Sequence, residues 1–335
     1  MLNFRERLHM HFPGDIKKAV FGGMVVLLVC FAQKAEGFAD KEHDERSDTL
    51  RLNEIEMVGG LEEAKSMVVR ENSELIIAEA GADRISVYQV SFDEEDADAS
   101  GETDSSTDDT ETAEDDHAAP ADAVSEERIL PDLDKPESLS LILDTEILVV
   151  SSGSQQVHWL DHDFGYVRSF TVPSWALEDT EFSPADVTTN EIGEVYVLDR
   201  RNRRVFHFNA NGSYLQHFRL DDLEDPTRLI YFDESLFITD YKSGTIYIMT
   251  DTGRELASIG TFADLERVRV ADRRIWVLSG SVLHLFDLSG QHLGNWRVDE
   301  PWKKLRDIAV IEQRVFLLTS GSLYYSEFSE TKQEN

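Results

Sequence analysis

The chain has 335 residues, of which 41% are hydrophobic and 10% aromatic, and this composition excludes a fibrous or wholly disordered protein. Its 66 acidic residues against 32 basic ones give a formal net charge of −34, which disfavours nucleic acids and anionic lipid surfaces as partners. We therefore expect a globular protein with an acidic surface and no nucleic-acid function.

The first 39 residues have the order of a secretory signal. Four basic residues precede the 14-residue apolar run Ala19–Ala32, and Gly37-Phe38-Ala39 offers a cleavage site. We predict a signal peptide over 1–39, a linker over 40–48, and export to the periplasm or cell surface. The alternative is an uncleaved N-terminal anchor, which would be the protein's one link to a membrane, although the apolar run is shorter than a usual span.

Cys30 is the only cysteine and lies inside this apolar run. Val29 stands where a lipoprotein signal would place a small residue, so we do not expect lipidation. After cleavage the mature chain would have no cysteine, and neither disulfides nor thiolate chemistry would be available to it.

Alternating residues over Leu50–Val58 predict a first strand, and Leu75–Ala78 and Arg84–Phe92 predict two more. Residues 93–127 follow; the stretch 91–130 holds 16 acidic residues and one Arg. We predict that 93–127 is a disordered insert in the loop between the third and fourth strands of a repeat. The simplest interpretation is a solvating loop; a charged arm for a basic partner and a weak Ca²⁺ reservoir stay open, although the spacing is not that of an EF-hand loop.

A repeat of four short strands begins at Pro184 and continues through Asn211-Gly212 to Phe218. The second strands of successive repeats start at Val195, Leu236, Ile275 and Val315, at separations of 41, 39 and 40 residues. Ile147 and Leu75 occupy the same place upstream, after gaps that the acidic insert enlarges. A period near 40 with four strands is typical of a β-propeller blade, so the sequence predicts an all-β, six-bladed propeller of four-stranded blades over 49–330, with a tail over 331–335.

The sixth repeat has only three strands before the chain ends. Leu50–Val58 lies just ahead of blade one and could supply the missing outer strand. We therefore predict that the N-terminal strand closes the ring and removes a free sheet edge.

The segment Pro184–Phe218 resembles the NHL repeat family at the positions that define its motif, namely Pro184, Gly193, Tyr196, Val197, Asp199, Asn202, Arg204, Val205, Phe208 and Gly212. Pro226–Gly260 is similar to it as well, and the other repeats match in strand pattern. The resemblance implies a six-bladed propeller, a fold that hosts binding modules and also metal-dependent enzymes.

One basic cluster stands out in this acidic chain, with an aromatic residue beside it: Arg200, Arg201, Arg203, Arg204, Tyr241 and Lys242. The repeat places these residues on neighbouring loops between second and third strands. They predict a surface for an anionic glycan or an acidic protein segment; the alternative for Arg204 is structural pairing with an acid between blades. Asp199 and Asp240 are weak metal candidates, since each is more simply an acceptor for the turn that follows it.

Other polar residues do not predict a catalytic site. His158, His207 and His284 recur in third strands, far from the axis, where packing between blades is expected. Asp186, Arg267 and Asp307 lie near the channel mouth with no shared spacing that we detect. Because no nucleophile, phosphate-loop or zinc motif is present, we expect a monomeric, non-catalytic binding or scaffold propeller without a cofactor, which presents a loop face to a protein or glycan. The alternative is a metal-dependent lyase or lactonase using Ca²⁺ or Zn²⁺.

Overall fold

The computed structural model describes residues 55–70, 74–90, 124–128, 133–271, 273–280, 282–288, 290–297, 305–311 and 314–327. These residues form six four-stranded antiparallel sheets arranged as a β-propeller, so the predicted fold class is confirmed. The described part contains one short helix, α1 (Ser174–Leu177), between the second and third blades. No helix in the described part is long and apolar enough to cross a membrane.

The strands follow the chain from blade to blade. Blade 1 consists of β2 (Ala64–Val69), β3 (Glu74–Glu79), β4 (Arg84–Gln89) and β5 (Val124–Arg128). Blade 2 consists of β6 (Pro136–Ile142), β7 (Glu146–Ser151), β8 (Gln156–Leu160) and β9 (Tyr166–Phe170). Blade 3 consists of β10 (Pro184–Thr189), β11 (Val195–Asp199), β12 (Arg204–Phe208) and β13 (Tyr214–Arg219).

The other half of the ring repeats this arrangement. Blade 4 consists of β14 (Pro226–Phe232), β15 (Ser235–Asp240), β16 (Thr245–Met249) and β17 (Glu255–Ile259). Blade 5 consists of β18 (Leu265–Ala271), β19 (Arg274–Ser279), β20 (Val282–Asp287) and β21 (His292–Arg297). Blade 6 consists of β22 (Leu305–Ile311), β23 (Arg314–Thr319), β24 (Ser322–Glu327) and the N-terminal β1 (Ile55–Gly59).

The predicted ring closure is confirmed. β1 pairs antiparallel with β24, from Ile55 opposite Tyr325 to Gly59 opposite Ser322. Two further backbone bonds continue the seam into blade 1, from the Leu61 N–H to the Gly321 carbonyl and from the Ala64 N–H to the Ser320 carbonyl, each 3.0 Å long. The edge of β24, which would otherwise be open, is thus covered by the chain's own first strand.

The core lies between the blades, because both faces of each sheet pack on a neighbour. The central residues of the second strands are accordingly mostly apolar, and every residue of β11, including its terminal Asp199, is buried. The cluster between blades 2 and 3 shows the pattern, with Trp159 and Phe170 of one blade packed against Phe206 and Phe208 of the next. Such two-sided burial explains why a continuous apolar run, rather than strict alternation, marked each blade in the sequence.

Two faces follow from the antiparallel order. The upper face carries the loops between second and third strands and the connections between blades, and the lower face carries the loops between first and second and between third and fourth strands. In blade 1, β4 ends and β5 begins on the lower face. Residues 124–127, the last of the predicted insert, belong to β5.

The remaining predictions for the termini and the insert fall on other residues. The signal peptide or anchor (1–39), the linker (40–48), the C-terminal tail (331–335) and residues 93–123 of the predicted insert all lie outside the described residues.

Candidate functional site

A ring of six polar residues lines the centre of the propeller. First strands of adjacent blades contact one another all the way round, so they surround the central axis. In each blade the third residue of the first strand pairs with the penultimate residue of the second strand, just after a β-bulge. We call these six residues the channel ring: Ser66, Ser138, Asp186, Arg228, Arg267 and Asp307.

This equivalence corrects the sequence interpretation, in which Asp186, Arg267 and Asp307 shared no spacing. Their registers are the same: they pair with Leu198, Leu278 and Leu318, respectively. Their separations in the sequence, 81 and 40 residues, are two blades and one blade, so the shared spacing was present and the sequence interpretation missed it. The insert in blade 1 and the connection containing α1 enlarge only the gaps that involve Ser66 and Ser138. A usable marker existed, since each ring residue stands two places after the buried residue that opens its first strand, a proline in three blades.

Several ring side chains satisfy backbone groups of the next blade. The innermost strand of a blade is a sheet edge, so its outward N–H groups lack a partner in the sheet. Asp307 accepts from the Met67 N–H at 2.9 Å and Asp186 from the Leu229 N–H at 2.8 Å. These carboxylates therefore join neighbouring blades at the axis, in addition to carrying charge.

Two arginines complete the ring around Asp307. Arg267 Nε lies 2.9 Å from Asp307 Oδ1, and Arg269 Nε lies 3.1 Å from the same oxygen. The two guanidiniums also donate to the Lys65 and Met67 carbonyls of blade 1, at 2.9 and 3.0 Å. Asp307 is fully buried and Arg267 nearly so. This cluster therefore links blades 5, 6 and 1 across the seam.

The charges in this cluster shift one another's pKa values. Burial raises the pKa of Asp307, but Arg267, Arg269 and the Met67 N–H outweigh it, and the net shift is downward. Burial, followed by the charge of Arg228, lowers the pKa of Arg267 to about 9. Both groups are therefore charged at neutral pH, and the Asp307 carboxylate has a structural role.

The predicted basic cluster lies on the upper face, and most of its members have acidic partners. Arg200 makes two bonds to Asp225, at 2.8 and 2.9 Å. Lys242 contacts Glu224, and Arg201 lies 3.6 Å from Glu181. These acids come from the connections between blades.

The other three members differ in exposure. Arg204 is buried, bonded to Glu178 at 3.0 Å and to the Ala176 carbonyl at 3.1 Å, which is the structural pairing weighed as its alternative. Arg203 donates to the Leu223 carbonyl at 3.1 Å. Tyr241 stays 46% exposed. The surface that the cluster presents is consequently one of paired charges around an exposed tyrosine.

The two aspartates that end second strands accept hydrogen bonds from nearby turns. Asp199 accepts from the backbone and side chain of Asn202, at 3.1 and 2.8 Å. Asp240 accepts from the N–H groups of Glu224, Asp225 and Lys242. Burial raises the pKa of Asp199 despite these bonds. Each carboxylate therefore has the structural surroundings expected of a turn acceptor.

The three third-strand histidines each have separate neighbours. His158 bonds Ser169 Oγ at 3.0 Å. His207 stacks on Tyr196 at 4.2 Å and contacts Glu194 at 3.1 Å. His284 packs near Phe262 and Phe286. Among the residues that the structure describes, no group of three or more His, Cys, Asp or Glu could hold a metal ion.

The lower face of blades 2 to 4 has a feature that the sequence did not predict. Leu143 and Ile192 are 59% and 67% exposed, in neighbouring loops between first and second strands. A Cβ at Gly193 would lie 4.0 Å from Leu143 Cδ1, so the two loops touch. The lower-face loops of blades 2 to 4 also contain five acidic residues: Asp144, Glu191, Asp233, Glu234 and Asp251.

Three of these five acidic residues, together with Glu194, are close enough to act on the hydroxyl of Tyr231. Burial raises the pKa of Tyr231 to about 12, and Glu191, Glu234, Asp251 and Glu194 add to the shift. Four carboxylates from two blades thus act on the same point. We call Leu143, Ile192 and the five acidic residues of the lower-face loops the lower-face patch.

Comparison with known proteins supports the architecture. No protein family and no curated protein matches the sequence. A streptogramin B lyase structure matches with a TM-score of 0.54 at 12% identity, covering 83% of this chain and 87% of that one. Virginiamycin B lyase from Staphylococcus aureus matches at 0.56 and 11%, covering 82% and 99%.

A gluconolactonase from Xanthomonas campestris matches with a TM-score of 0.55 at 14% identity, covering 82% of this chain and 89% of that one. At such identities the likeness concerns the fold. The chain is a six-bladed β-propeller similar in architecture to these lyases and lactonases.

Proposed function

We propose that this protein is an exported, non-catalytic binding propeller that presents a loop face to a protein partner. The observation that carries the proposal is the lower-face patch, where two exposed aliphatic side chains lie in neighbouring loops and acidic residues occupy the same and adjacent loops. A partner segment with apolar and basic side chains would be complementary to it in both respects. The resemblance to NHL repeats is consistent with such a role.

The geometry of the channel favours binding over catalysis. Both carboxylates of the channel ring are occupied by backbone N–H groups, hydroxyls or guanidiniums. A hydrolytic or lyase site would need groups that are free to contact a substrate. In the channel ring, the two carboxylates already stabilise contacts between blades.

A synthetic amphipathic peptide of Lys and Leu tests the proposal by isothermal titration calorimetry. We expect saturable binding to the wild type that is weakened about tenfold or more by Ile192→Ser combined with Glu191→Gln and Glu234→Gln, since apolar contact and charge are both lost. The control, Asp221→Asn with Glu181→Gln, removes acids from the upper face and should leave binding unchanged. Equal binding by both variants would contradict the lower-face assignment.

The predicted basic cluster is the second candidate surface. Exposed ion pairs are weak, so an anionic glycan or an acidic protein segment could replace Asp225 and Glu224 as partners of Arg200 and Lys242. Reversing the charges of Arg200, Arg201 and Arg203 while leaving buried Arg204 intact should abolish such binding with little change in thermal stability. Retained binding to an acidic peptide or glycan would exclude the cluster.

A metal-dependent lyase or lactonase remains the alternative function, and it has the activities named for the structural neighbours in its favour. Elemental analysis of the purified chain, before and after chelation, distinguishes the two. Near-stoichiometric Ca²⁺ or Zn²⁺ whose removal lowers the melting temperature would favour the enzyme. A metal-free protein with unchanged stability would favour the binding module.

A further inference from the structure

The channel ring contains one member without a protein partner. Ser66, Ser138, Asp186, Arg267 and Asp307 all form hydrogen bonds within the ring or to neighbouring first strands. Within the described residues, the side chain of Arg228 in blade 4 forms no hydrogen bond and no ion pair. Its side chain is nevertheless half-buried, at the same level of the channel as the other five.

The two carboxylates of the channel ring do not pair with Arg228. Asp186, in the adjacent blade, accepts from the Ser138 hydroxyl and from the Leu229 N–H. Asp307 is paired with Arg267 and Arg269, so Arg228 acts on it only through space. Within this group, Arg228, Arg267 and Arg269 thus outnumber Asp186 and Asp307, and one guanidinium is left without a paired carboxylate.

The guanidinium of Arg228 is close enough to Arg267 to alter its pKa. The charge of Arg228 is the second cause, after burial, of the lowered pKa of Arg267. A positive charge surrounded by other cations and partly removed from water is unfavourable unless an anion approaches it. Carboxylates and phosphates match the planar fork of a guanidinium and form charge-assisted hydrogen bonds with it.

We propose that Arg228 binds a small oxyanion, a carboxylate or a phosphate, in the central channel. Arg267 and Arg269 hold the positive field at this level while their own hydrogen bonds are used by Asp307 and by backbone carbonyls. The selectivity thus rests on one guanidinium fork, which favours a small anion over an extended chain. This site is independent of the lower-face patch and of the partner proposed for it.

Thermal melting of the full-length chain tests the proposal, with sodium malonate and sodium phosphate as probes, each against sodium chloride at matched ionic strength. We expect a saturable rise in melting temperature for the wild type with at least one probe. Arg228→Gln should weaken the apparent affinity by about tenfold or more, and Arg228→Lys should give an intermediate value, because Lys keeps the charge and loses the fork. The carboxylate and phosphate arms identify the class of anion.

A matched control separates the site from general effects of salt. Arg254 is an exposed arginine on a lower-face loop of the same blade, and Arg254→Gln should respond to the probes as the wild type does. In chloride alone, Arg228→Gln should be at least as stable as the wild type, since it removes an uncompensated charge. The proposal is overturned if Arg228→Gln is clearly less stable in chloride, if its response to the probes equals that of the wild type, or if neither probe gives a saturable shift.

Discussion

Replacing Asp307 by Asn should destabilise the ring at its seam more than any other single isosteric change. Asp307 is fully buried and contacts the Met67 N–H and two guanidiniums. Asn keeps the size but removes the charge, which leaves Arg267 and Arg269 uncompensated beside the axis. Breaking a buried pair from one side typically costs about 3–5 kcal/mol. For a domain of this size that corresponds to a melting temperature lower by roughly 10 °C.

Urea denaturation, followed by tryptophan fluorescence and by circular dichroism, measures this loss. Asp144→Asn is the control: Asp144 is exposed, has a positive φ of 59° that Asn also tolerates, and should change stability by less than about 0.5 kcal/mol. Adding Arg269→Gln to Asp307→Asn should recover part of the loss, since it removes one uncompensated cation. A loss below about 1 kcal/mol for Asp307→Asn would refute the assignment of the seam to these charges.

Three further predictions concern closure, backbone geometry and pH. A chain beginning at Leu61 lacks β1, and its free energy of unfolding should be at least about 3 kcal/mol lower than that of a chain beginning at Leu50, because the edge of β24 loses its hydrogen-bonded partner strand. Equal denaturation midpoints for the two chains would contradict the closure. Gly244→Ala should lower the free energy of unfolding by about 3 kcal/mol or more, since φ is +66° and the new Cβ would meet the Phe262 carbonyl oxygen. Gly60→Ala, at φ +79° in open space, should lower it by about 1 kcal/mol. Similar losses of stability for the two variants in urea denaturation would exclude the backbone clash. Burial, with His292 nearby, lowers the pKa of His284 to about 4, so below pH 6.5 the unfolded state binds a proton that the folded state does not bind. The free energy of unfolding of the wild type should therefore fall by about 2 kcal/mol between pH 6.5 and 4, after allowance for partial exposure. His284→Gln should lose about 2 kcal/mol less than the wild type over the same pH range.

The fold could be predicted from the sequence because each blade has its own buried second strand. Val195, Leu236, Ile275 and Val315 were expected to open second strands, and each lies in one, at its first or second residue. A propeller buries both faces of every blade, so the apolar run repeats with the blade. Closure could be predicted for a similar reason, since a three-stranded sixth repeat and an alternating N-terminal segment are two halves of one sheet.

The partners of the candidate residues could not be predicted in the same way. The arginines after Asp199 are adjacent in sequence, but Asp225 and Glu181, which pair with Arg200 and Arg201, come from separate connections between blades. The lower-face patch arises because the loops that hold Leu143 and Ile192 are distant in sequence and come together only when the blades pack side by side. Such contacts depend on how one blade is rotated against the next, and a periodic pattern contains no information about that rotation.

The distribution of charge around the channel ring has a physical explanation in the path of the chain. From blade 1 to blade 3, covalent connections carry the chain from blade to blade, and small side chains supply the bonds between first strands: Ser66 accepts from the Leu139 N–H, and Ser138 donates to Asp186. Blade 6 is assembled from both ends of the described chain, so its N-terminal strand β1 is held to its other three strands by noncovalent contacts alone. Arg267 and Arg269 donate to the Lys65 and Met67 carbonyls, each 202 residues away, across blade 6 into blade 1. The strongest charge-assisted bonds thus lie where covalent continuity is missing, and the same concentration of arginines leaves the unpartnered Arg228 in a positive field on the opposite side of blade 5.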